Sequence, residues 1–231
     1  MSPETLSLAA LWYVAFLLSL TCHEAAHALA AKLGGDSTAY EAGQVSLNPI
    51  PHIRRSPFGT VVIPALTFFV SGFMMGWASA PYDPFWQQRH PRRAALMALA
   101  GPTANFILVL LAVVTLRVGL ALRFFAPPEH FAFSHMAVAT APGAAEGIVT
   151  FASILFSLNL LLGAFNLLPV PPLDGSTAVG IFMSDRAALR FAELGRTPMF
   201  SIMGLLLAWR LFDYVVSPLF SIGVGVLYWG Y

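Results

Sequence analysis

Two histidines and a glutamate inside an apolar run constrain this chain more than any other feature. The run extends from Leu6 to Leu33 and contains His23, Glu24 and His27. On a helix, positions four apart lie on one face, so both imidazoles can reach one metal ion. Glu24 lies beside them, where a carboxylate can accept a proton from a water molecule that the metal activates. Charged residues in an apolar segment are costly and usually functional. The run therefore suggests a metal-dependent hydrolase site within the bilayer.

The alternative is a helix whose two histidines hydrogen-bond to neighbouring helices without any metal. A zinc site needs a third protein ligand, which the rest of the chain would have to supply. The choice between the two interpretations therefore depends on later segments of the sequence.

Composition identifies a polytopic, all-α membrane protein. Hydrophobic residues make up 58% of the 231 residues and charged residues only 10%, whereas soluble domains are about 25% charged. At about 20 residues per span, the chain has room for five or six membrane segments. The net charge of +1 indicates no nucleic-acid partner, and the lipid bilayer is the expected environment.

Glycine and proline residues, which often end helices and strands, divide the chain into segments. Apolar stretches predict membrane helices at about 5–33, 92–119, 146–168 and 198–216, and the stretch 217–231 is apolar but short. A short amphipathic helix is predicted from Ser176 to Leu194. Residues 36–58 read as an irregular loop with a possible short β-hairpin, for example with a strand from Gln44 to Leu47.

Basic residues predict which side of the membrane each loop faces. They cluster at Lys32, Arg54 and Arg55, at Arg89, Arg92 and Arg93, and at Arg186, Arg190 and Arg196. If all three clusters are cytoplasmic, the apolar segment 59–79 must enter and leave on the same side. Its breaks at Pro64 and at Ser71-Gly72 favour such a re-entrant hairpin over a full span.

A candidate third ligand follows the 146–168 helix. The stretch from Asn166 to Gly175 contains three prolines and ends in Asp174-Gly175. Prolines break a helix at a cost in stability unless the break shapes a cavity. Asp174 is a plausible oxygen ligand for zinc, and Asn166 can donate a hydrogen bond to a developing oxyanion. The simpler interpretation is a helix end followed by an ordinary Pro-Asp-Gly turn.

Together these stretches resemble the site-2 protease family of intramembrane zinc metalloproteases. The hallmark motifs are His-Glu-x-x-His, here His23 to His27, and Asn…Pro…Asp-Gly, here Asn166 to Gly175. A third family-like stretch, Gly101 to Asn105, lies between them. Further similar stretches lie at Leu47 to Pro49, Pro57 to Thr60 and Gly76 to Ala78.

The resemblance implies a catalytic core over about 5–180 within one integral membrane domain, with C-terminal membrane segments over 198–231. Zinc, one ion per chain, would be held by His23, His27 and Asp174, and Glu24 would act as base. The chain looks like a minimal member without PDZ or CBS domains. The similar stretch ending near Ala78 would lie against the active site and could pair with an extended substrate.

The implied function is zinc-dependent cleavage of peptide bonds within or near membrane-spanning helices of substrate proteins, in a prokaryotic plasma membrane with the site toward the cytoplasm. Asn105 and Gly101 are candidate substrate-facing residues, although both could instead hold helices together. His52 could contact substrate, but a structural hydrogen bond is the simpler role. Alternative functions are a catalytically silent protein that binds membrane segments and a zinc transporter.

Overall fold

The computed structural model describes residues 2–195 and 197–230. Arg196, one of the basic residues predicted to face the cytoplasm, lies outside the described residues.

The chain runs through ten α-helices and one small sheet within those residues. Helix α1 spans Pro3–Leu33 and is followed by α2 (Thr38–Glu41) and α3 (Pro49–Arg55). A π-helical turn at Phe58–Val62 leads into α4 (Ile63–Ser71), and a segment without helix or strand over 72–83 leads to α5 (Pro84–Arg89) and α6 (Pro91–Ala121). Strands β1 (Phe125–Ala126) and β2 (Val138–Ala139) precede α7 (Ala144–Asn166). The remaining elements are α8 (Asp174–Ala178), a 3-10 turn at Val179–Phe182, α9 (Asp185–Gly195) and α10 (Pro198–Leu227).

Helices α1, α6 and α7 pack against one another and form the core. Helix α1 begins at Pro3, where the Ser2 side chain accepts a hydrogen bond from the Thr5 N–H, and it ends before Gly34, as predicted. Small side chains such as Ala15, Ala95 and Ala152 are buried in this core. Since small side chains let helix backbones approach closely, the three helices can bring polar groups from different parts of the sequence together.

The number of membrane segments is lower than the five or six predicted. In the described part of the chain, α1, α6 and α7 are long and apolar enough to cross a membrane. Helix α10 is a fourth if its two halves, which differ in direction by 48°, count as one span. The stretch 217–231 is therefore no separate segment, because α10 continues through Pro218 as far as Leu227.

The segment 59–79 folds back on itself, as the re-entrant interpretation predicted. Its apolar helical part, Phe58–Ser71, is too short to cross a bilayer. The chain reverses after Gly72, whose φ of 78° is in the left-handed region. The Trp77 N–H then donates to the Gly59 carbonyl oxygen at 3.1 Å. Both ends of the segment thus lie side by side, which a full span of about 30 Å would not allow. We call residues 58–83 the outer hairpin.

Two local predictions were wrong. No strand forms at Gln44 to Leu47, and the two-stranded sheet lies instead between α6 and α7, where Phe125 pairs with Ala139. The amphipathic stretch from Ser176 is also not continuous, since α9 starts anew at Asp185. There the Ser184 hydroxyl accepts a hydrogen bond from the Ala187 N–H at 3.4 Å, as a helix-capping residue does.

Candidate metal centre

The predicted metal-binding motif lies on the core-facing side of α1. His23, Glu24 and His27 are all buried, and the two imidazole rings meet edge to face with centroids 4.6 Å apart. Four-residue spacing on the helix produces this arrangement. The motif lies about 9–15 Å from the C-terminal end of α1 at a rise of about 1.5 Å per residue.

Asp174 reaches the same point from the other end of the chain. Its Oδ2 atom lies 3.1 Å from His23 Nε2 and 3.2 Å from His27 Nε2, and the two Nε2 atoms are 3.0 Å apart. Tetrahedral zinc with bonds of about 2.0–2.1 Å separates its ligand atoms by about 3.3 Å. The three atoms therefore form a triangle of nearly the size that zinc requires. Within the described residues, this is the single group of three such side chains able to share an ion.

The far side of each imidazole is held by α6. His27 Nδ1 donates to the Met97 carbonyl oxygen at 2.8 Å, and His23 Nδ1 lies 2.6 Å from Asn105 Oδ1. A nitrogen that donates its proton on one side leaves the lone pair of the other nitrogen for a metal. Both Nε2 lone pairs thus point to the centre of the triangle, so the donor set fits zinc.

A glycine on α6 makes room for the two rings. A Cβ atom at Gly101 would lie 2.3 Å from His27 Nε2 and 2.6 Å from His23 Nε2. Real Cβ atoms essentially never approach that closely. The absence of a side chain at position 101 is therefore a condition for the ligand geometry.

The proline-rich turn after α7 brings Asp174 into the site. Gly175 follows Asp174 in the sequence. A Cβ atom at position 175 would lie 2.3 Å from the carbonyl oxygens of both Leu167 and Leu168. The Asp-Gly pair thus lets the chain pass close to the end of α7. When no metal is bound, burial raises the pKa of the Asp174 carboxyl, but a protonated His27 and the hydrogen bonds of both imidazoles lower it by more, so the pKa lies well below its usual range. Asp174 is accordingly ionised at neutral pH.

A cavity of about 250 Å³ opens beside the triangle. Glu24, His27 and Asp174 contribute to its lining, together with Met97 of α6. Residues Ala78 to Tyr82, at the end of the outer hairpin, also line the cavity and form no helix or strand; we call them the cavity wall. Glu24 and two of the three candidate ligands, His27 and Asp174, therefore border one space that is large enough for part of a peptide.

This ligand geometry coincides with a family match. The sequence profile of peptidase family M50 matches residues 11–207, which include all three candidate ligands and Glu24. The chain belongs to peptidase family M50. It is thus a member of the site-2 protease family, and it is a membrane metalloprotease by family and by its apolar helices.

Several relatives carry names consistent with this family. "Putative zinc metalloprotease YwhC" of Bacillus subtilis is 33% identical over 221 residues, covering 94% of this chain and 89% of that protein. "Putative zinc metalloprotease Rip2" of Mycobacterium tuberculosis (strain Erdman) is 28% identical over 93% of this chain and 70% of its own length. The Rip2 protein of Mycolicibacterium smegmatis is 29% identical over 71% of this chain and 54% of its own length. No solved structure matches the chain.

The residues predicted from the M50 motifs separate into two groups. His23, Glu24, His27, Gly101, Asn105 and Asp174 come together around the triangle and its cavity. Asn166 ends α7 outside the cavity lining, and its carboxamide makes no hydrogen bond within the described residues, so its oxyanion role stays a prediction.

The candidate substrate-facing residues have contacts that fit the structural alternatives. Asn105 is fully buried behind His23, and Gly101 packs on both rings; neither lines the cavity. His52 is buried in α3, where its Nε2 donates to the Ser46 carbonyl oxygen at 3.0 Å. Contact of any of these three with substrate stays a prediction.

Sequence reasoning missed Asn159 of α7, whose carboxamide contacts that of Asn105. The available signal was an amide in the middle of an otherwise apolar helix, since a polar residue at such a position needs partners. The family-like stretch in the sequence ended near Ala78, and residues 79–82 of the cavity wall had no signal in the sequence.

Proposed function

We propose that the chain is a zinc-dependent endopeptidase that hydrolyses peptide bonds within or near the transmembrane helices of membrane-protein substrates. The observation that carries the proposal is the triangle of His23, His27 and Asp174 ligand atoms beside a cavity that Glu24 also lines, within a core of apolar helices. The family and the names of its relatives support the metalloprotease part of this proposal.

The side chains of the site have separate roles in the proposed reaction. Zinc bound by His23, His27 and Asp174, one ion per chain, would polarise the scissile carbonyl and make an attacking water more acidic. Glu24 takes the proton from that water and delivers it to the leaving amine. Asn166 would donate to the oxyanion once substrate draws it toward the cavity.

The outer hairpin supplies the wall against which substrate would lie. Residues from Ala78 to Tyr82 form no helix or strand, and within the described residues no hydrogen bond joins the backbones of Ala78, Ala80 or Tyr82 to other chain. A helical substrate hides its amides in internal hydrogen bonds, so a scissile segment must unwind before attack. Free backbone groups on the wall would bind such an extended segment by strand pairing, as the family resemblance implies.

The basic residues support a site on the cytoplasmic side. Arg93 Nη1 donates to the Gly34 carbonyl oxygen at 3.1 Å, so the basic start of α6 lies beside the end of α1 that carries Lys32. The metal-binding motif is in this half of α1. The positive-inside rule then orients this half toward the cytoplasm of a prokaryotic plasma membrane.

The test is proteolysis of a pooled library of synthetic single-span peptides in liposomes that contain the purified protein. Product masses locate each cut. We expect cuts inside the apolar spans, loss of cleavage on chelation, and recovery with zinc. Cuts confined to the water-exposed flanks would rule out cleavage within the spans and leave only cleavage near them. Bound zinc with no product from the whole pool would favour the silent binding protein.

The substitution Glu24→Gln should reduce the cleavage rate by about 10²–10⁴-fold, because it removes the general base and leaves the zinc ligands in place. Glu4→Gln is the matched control, since it makes the same change at an exposed position of the same helix. A Glu24→Gln protein that cleaves at the normal rate would rule out the assigned base.

A further inference from the structure

A chain of hydrogen-bonded side chains crosses the core behind His23. It joins Ser19 of α1, Asn159 of α7 and Asn105 of α6, and all three side chains are fully buried. Polar groups in apolar helices are costly unless they are partnered. None of the three faces the cavity, so the reaction itself does not account for them.

The direction of each hydrogen bond follows from two backbone carbonyl groups, which can only accept. The Ser19 hydroxyl lies 2.6 Å from the Ala15 carbonyl oxygen and must donate its single proton there. Its oxygen therefore accepts from Asn159, whose Nδ2 lies 2.8 Å away. The same Nδ2 group also lies 2.8 Å from the Leu155 carbonyl oxygen and donates its second proton to it.

These bonds fix the orientation of both amides. With the Asn159 NH₂ group committed to Ser19 and Leu155, its Oδ1 atom faces Asn105 and accepts from Asn105 Nδ2 at 2.7 Å. If the Asn159 amide were flipped, its oxygen would face the Leu155 carbonyl oxygen, and its NH₂ group would face that of Asn105. The Asn105 Oδ1 atom is thus turned toward His23 Nδ1, 2.6 Å away.

The chain of bonds ends by setting the tautomer of a zinc ligand. An amide oxygen has no proton, so His23 Nδ1 must carry one, and the lone pair resides on Nε2. We propose that Asn159 and Ser19 are positioning residues that hold His23 in this tautomer and ring orientation through Asn105. The proposal rests on His23 as a ligand in the proposed zinc site.

His27 provides an internal contrast. A backbone carbonyl group, that of Met97, fixes its tautomer directly. The two ligands are therefore held by independent means, one by the α6 backbone and one by side chains of all three core helices. Changes at Asn159 should affect His23 and leave the tautomer of His27 unchanged.

The experiment uses ring-¹⁵N-histidine protein in detergent micelles, metal-free, with the two signals assigned by His23→Gln and His27→Gln variants. In the wild type we expect Nδ1 of both rings to carry a proton. In Asn159→Leu we expect His23 to become a mixture of tautomers, with His27 unchanged. Zinc affinity, measured by competition with a chelator, should fall about tenfold, the lower end of what outer-shell losses cost.

The matched control is Ser157→Ala, two residues away on the same helix. The Ser157 hydroxyl is equally buried but has no hydrogen-bond partner within the described residues, so its removal should change neither tautomer nor affinity. Ser19→Ala keeps the Leu155 bond and should shift affinity by about threefold, a fraction of the outer-shell range. It serves as the second variant should Asn159→Leu not fold, which circular dichroism reports.

An Asn159→Leu protein that keeps the His23 tautomer and binds zinc within twofold of wild type would overturn the proposal. A Ser19→Ala protein with the zinc affinity of the wild type would do the same. The tautomer measurement needs no metal. It therefore separates failure of this inference from failure of the proposed function, which would appear as a wild type that binds no zinc or cleaves nothing.

Discussion

The two sides of the candidate site are built differently. The ligands belong to α1 and α8 and are supported by α6 and α7, where side chains are buried and their polar atoms are bonded to one another. The cavity wall belongs to the outer hairpin, which exposes Leu66, Phe69 and Val70 but packs Phe68 and Met74 into an apolar cluster with residues of α1 and α7. Polar contacts among buried side chains therefore hold the ligand side, whereas apolar packing holds the outer hairpin.

The largest effect should follow from Asp174→Ala on the ligand side. Loss of a direct ligand should weaken zinc binding by more than the roughly 100-fold that outer-shell losses reach, because only two protein ligands remain. Elemental analysis of detergent-purified protein measures bound zinc, with about one ion per chain expected for the wild type. Asp185→Ala, on exposed α9, is the control. One zinc per chain in Asp174→Ala would break the proposed ligand set.

A smaller but still large effect is expected from Gly101→Ala. The added Cβ would press on both Nε2 atoms, so the rings must move and zinc affinity should fall at least tenfold. Overpacking should also lower the free energy of unfolding by about 1–3 kcal/mol. Gly147→Ala in α7 is the control, since a Cβ there meets nothing within 4 Å. Undiminished zinc affinity in Gly101→Ala would mean that the ligand side is not rigid.

The substitution Gly76→Ala tests the outer hairpin. Its Cβ would lie 2.2 Å from the Gly59 carbonyl oxygen and 2.7 Å from the Phe16 ring, so the outer hairpin must shift. We expect cleavage to slow about tenfold, the cost of roughly 1.4 kcal/mol in the barrier, while zinc content stays at the wild-type level. Gly225→Ala in α10, with open space at its Cβ, controls for the added methyl group. Zinc loss in Gly76→Ala would show that the two sides are coupled.

The smallest effect concerns the attachment of the outer hairpin. Asp36 Oδ2 accepts from the Asp83 N–H at 2.8 Å, and Oδ1 accepts from the Thr38 N–H at 3.0 Å. Burial raises the pKa of Asp36, and hydrogen bonds from the Thr38 hydroxyl and from these two N–H groups lower it by more, so the folded pKa lies below the usual 3.8. The carboxylate therefore stabilises the fold above about pH 3.8, and this contribution is lost as the pH falls through the folded pKa.

Asp36→Asn should accordingly lower Tm slightly at pH 6 and have less effect near pH 3. Thermal unfolding of wild type and variant at both pH values measures the difference. A Tm difference that is independent of pH would show that the charge of Asp36 contributes nothing to holding the hairpin.

Sequence reasoning was reliable where local spacing determines structure. The bounds of α1 follow from Pro3 and Gly34, and the four-residue spacing of His23 and His27 places both rings on one face. Sequence reasoning failed where a helix continues through a residue that usually ends helices. The sequence predicted a span that ends at about residue 216, yet α10 continues through Pro218, as proline can in apolar helices whose freed carbonyl groups find other partners.

The remainder of the site depends on contacts between distant positions. Asn105 and Asn159 are 54 residues apart, and no local sequence pattern predicts the hydrogen bond between their amides. The same holds for the cavity wall, whose place beside Asp174 follows from how the outer hairpin folds back. Helix packing determines these contacts, and a single sequence contains no direct record of it.

The distance along the chain between the ligands also has a consequence for biosynthesis. His27 and Asp174 are 147 positions apart, so a ribosome delivers the histidines long before the aspartate. A growing chain can insert α1, α6 and α7 while it still lacks the third ligand. A site with all three candidate ligands can therefore form only after the core helices α1, α6 and α7 have been synthesised.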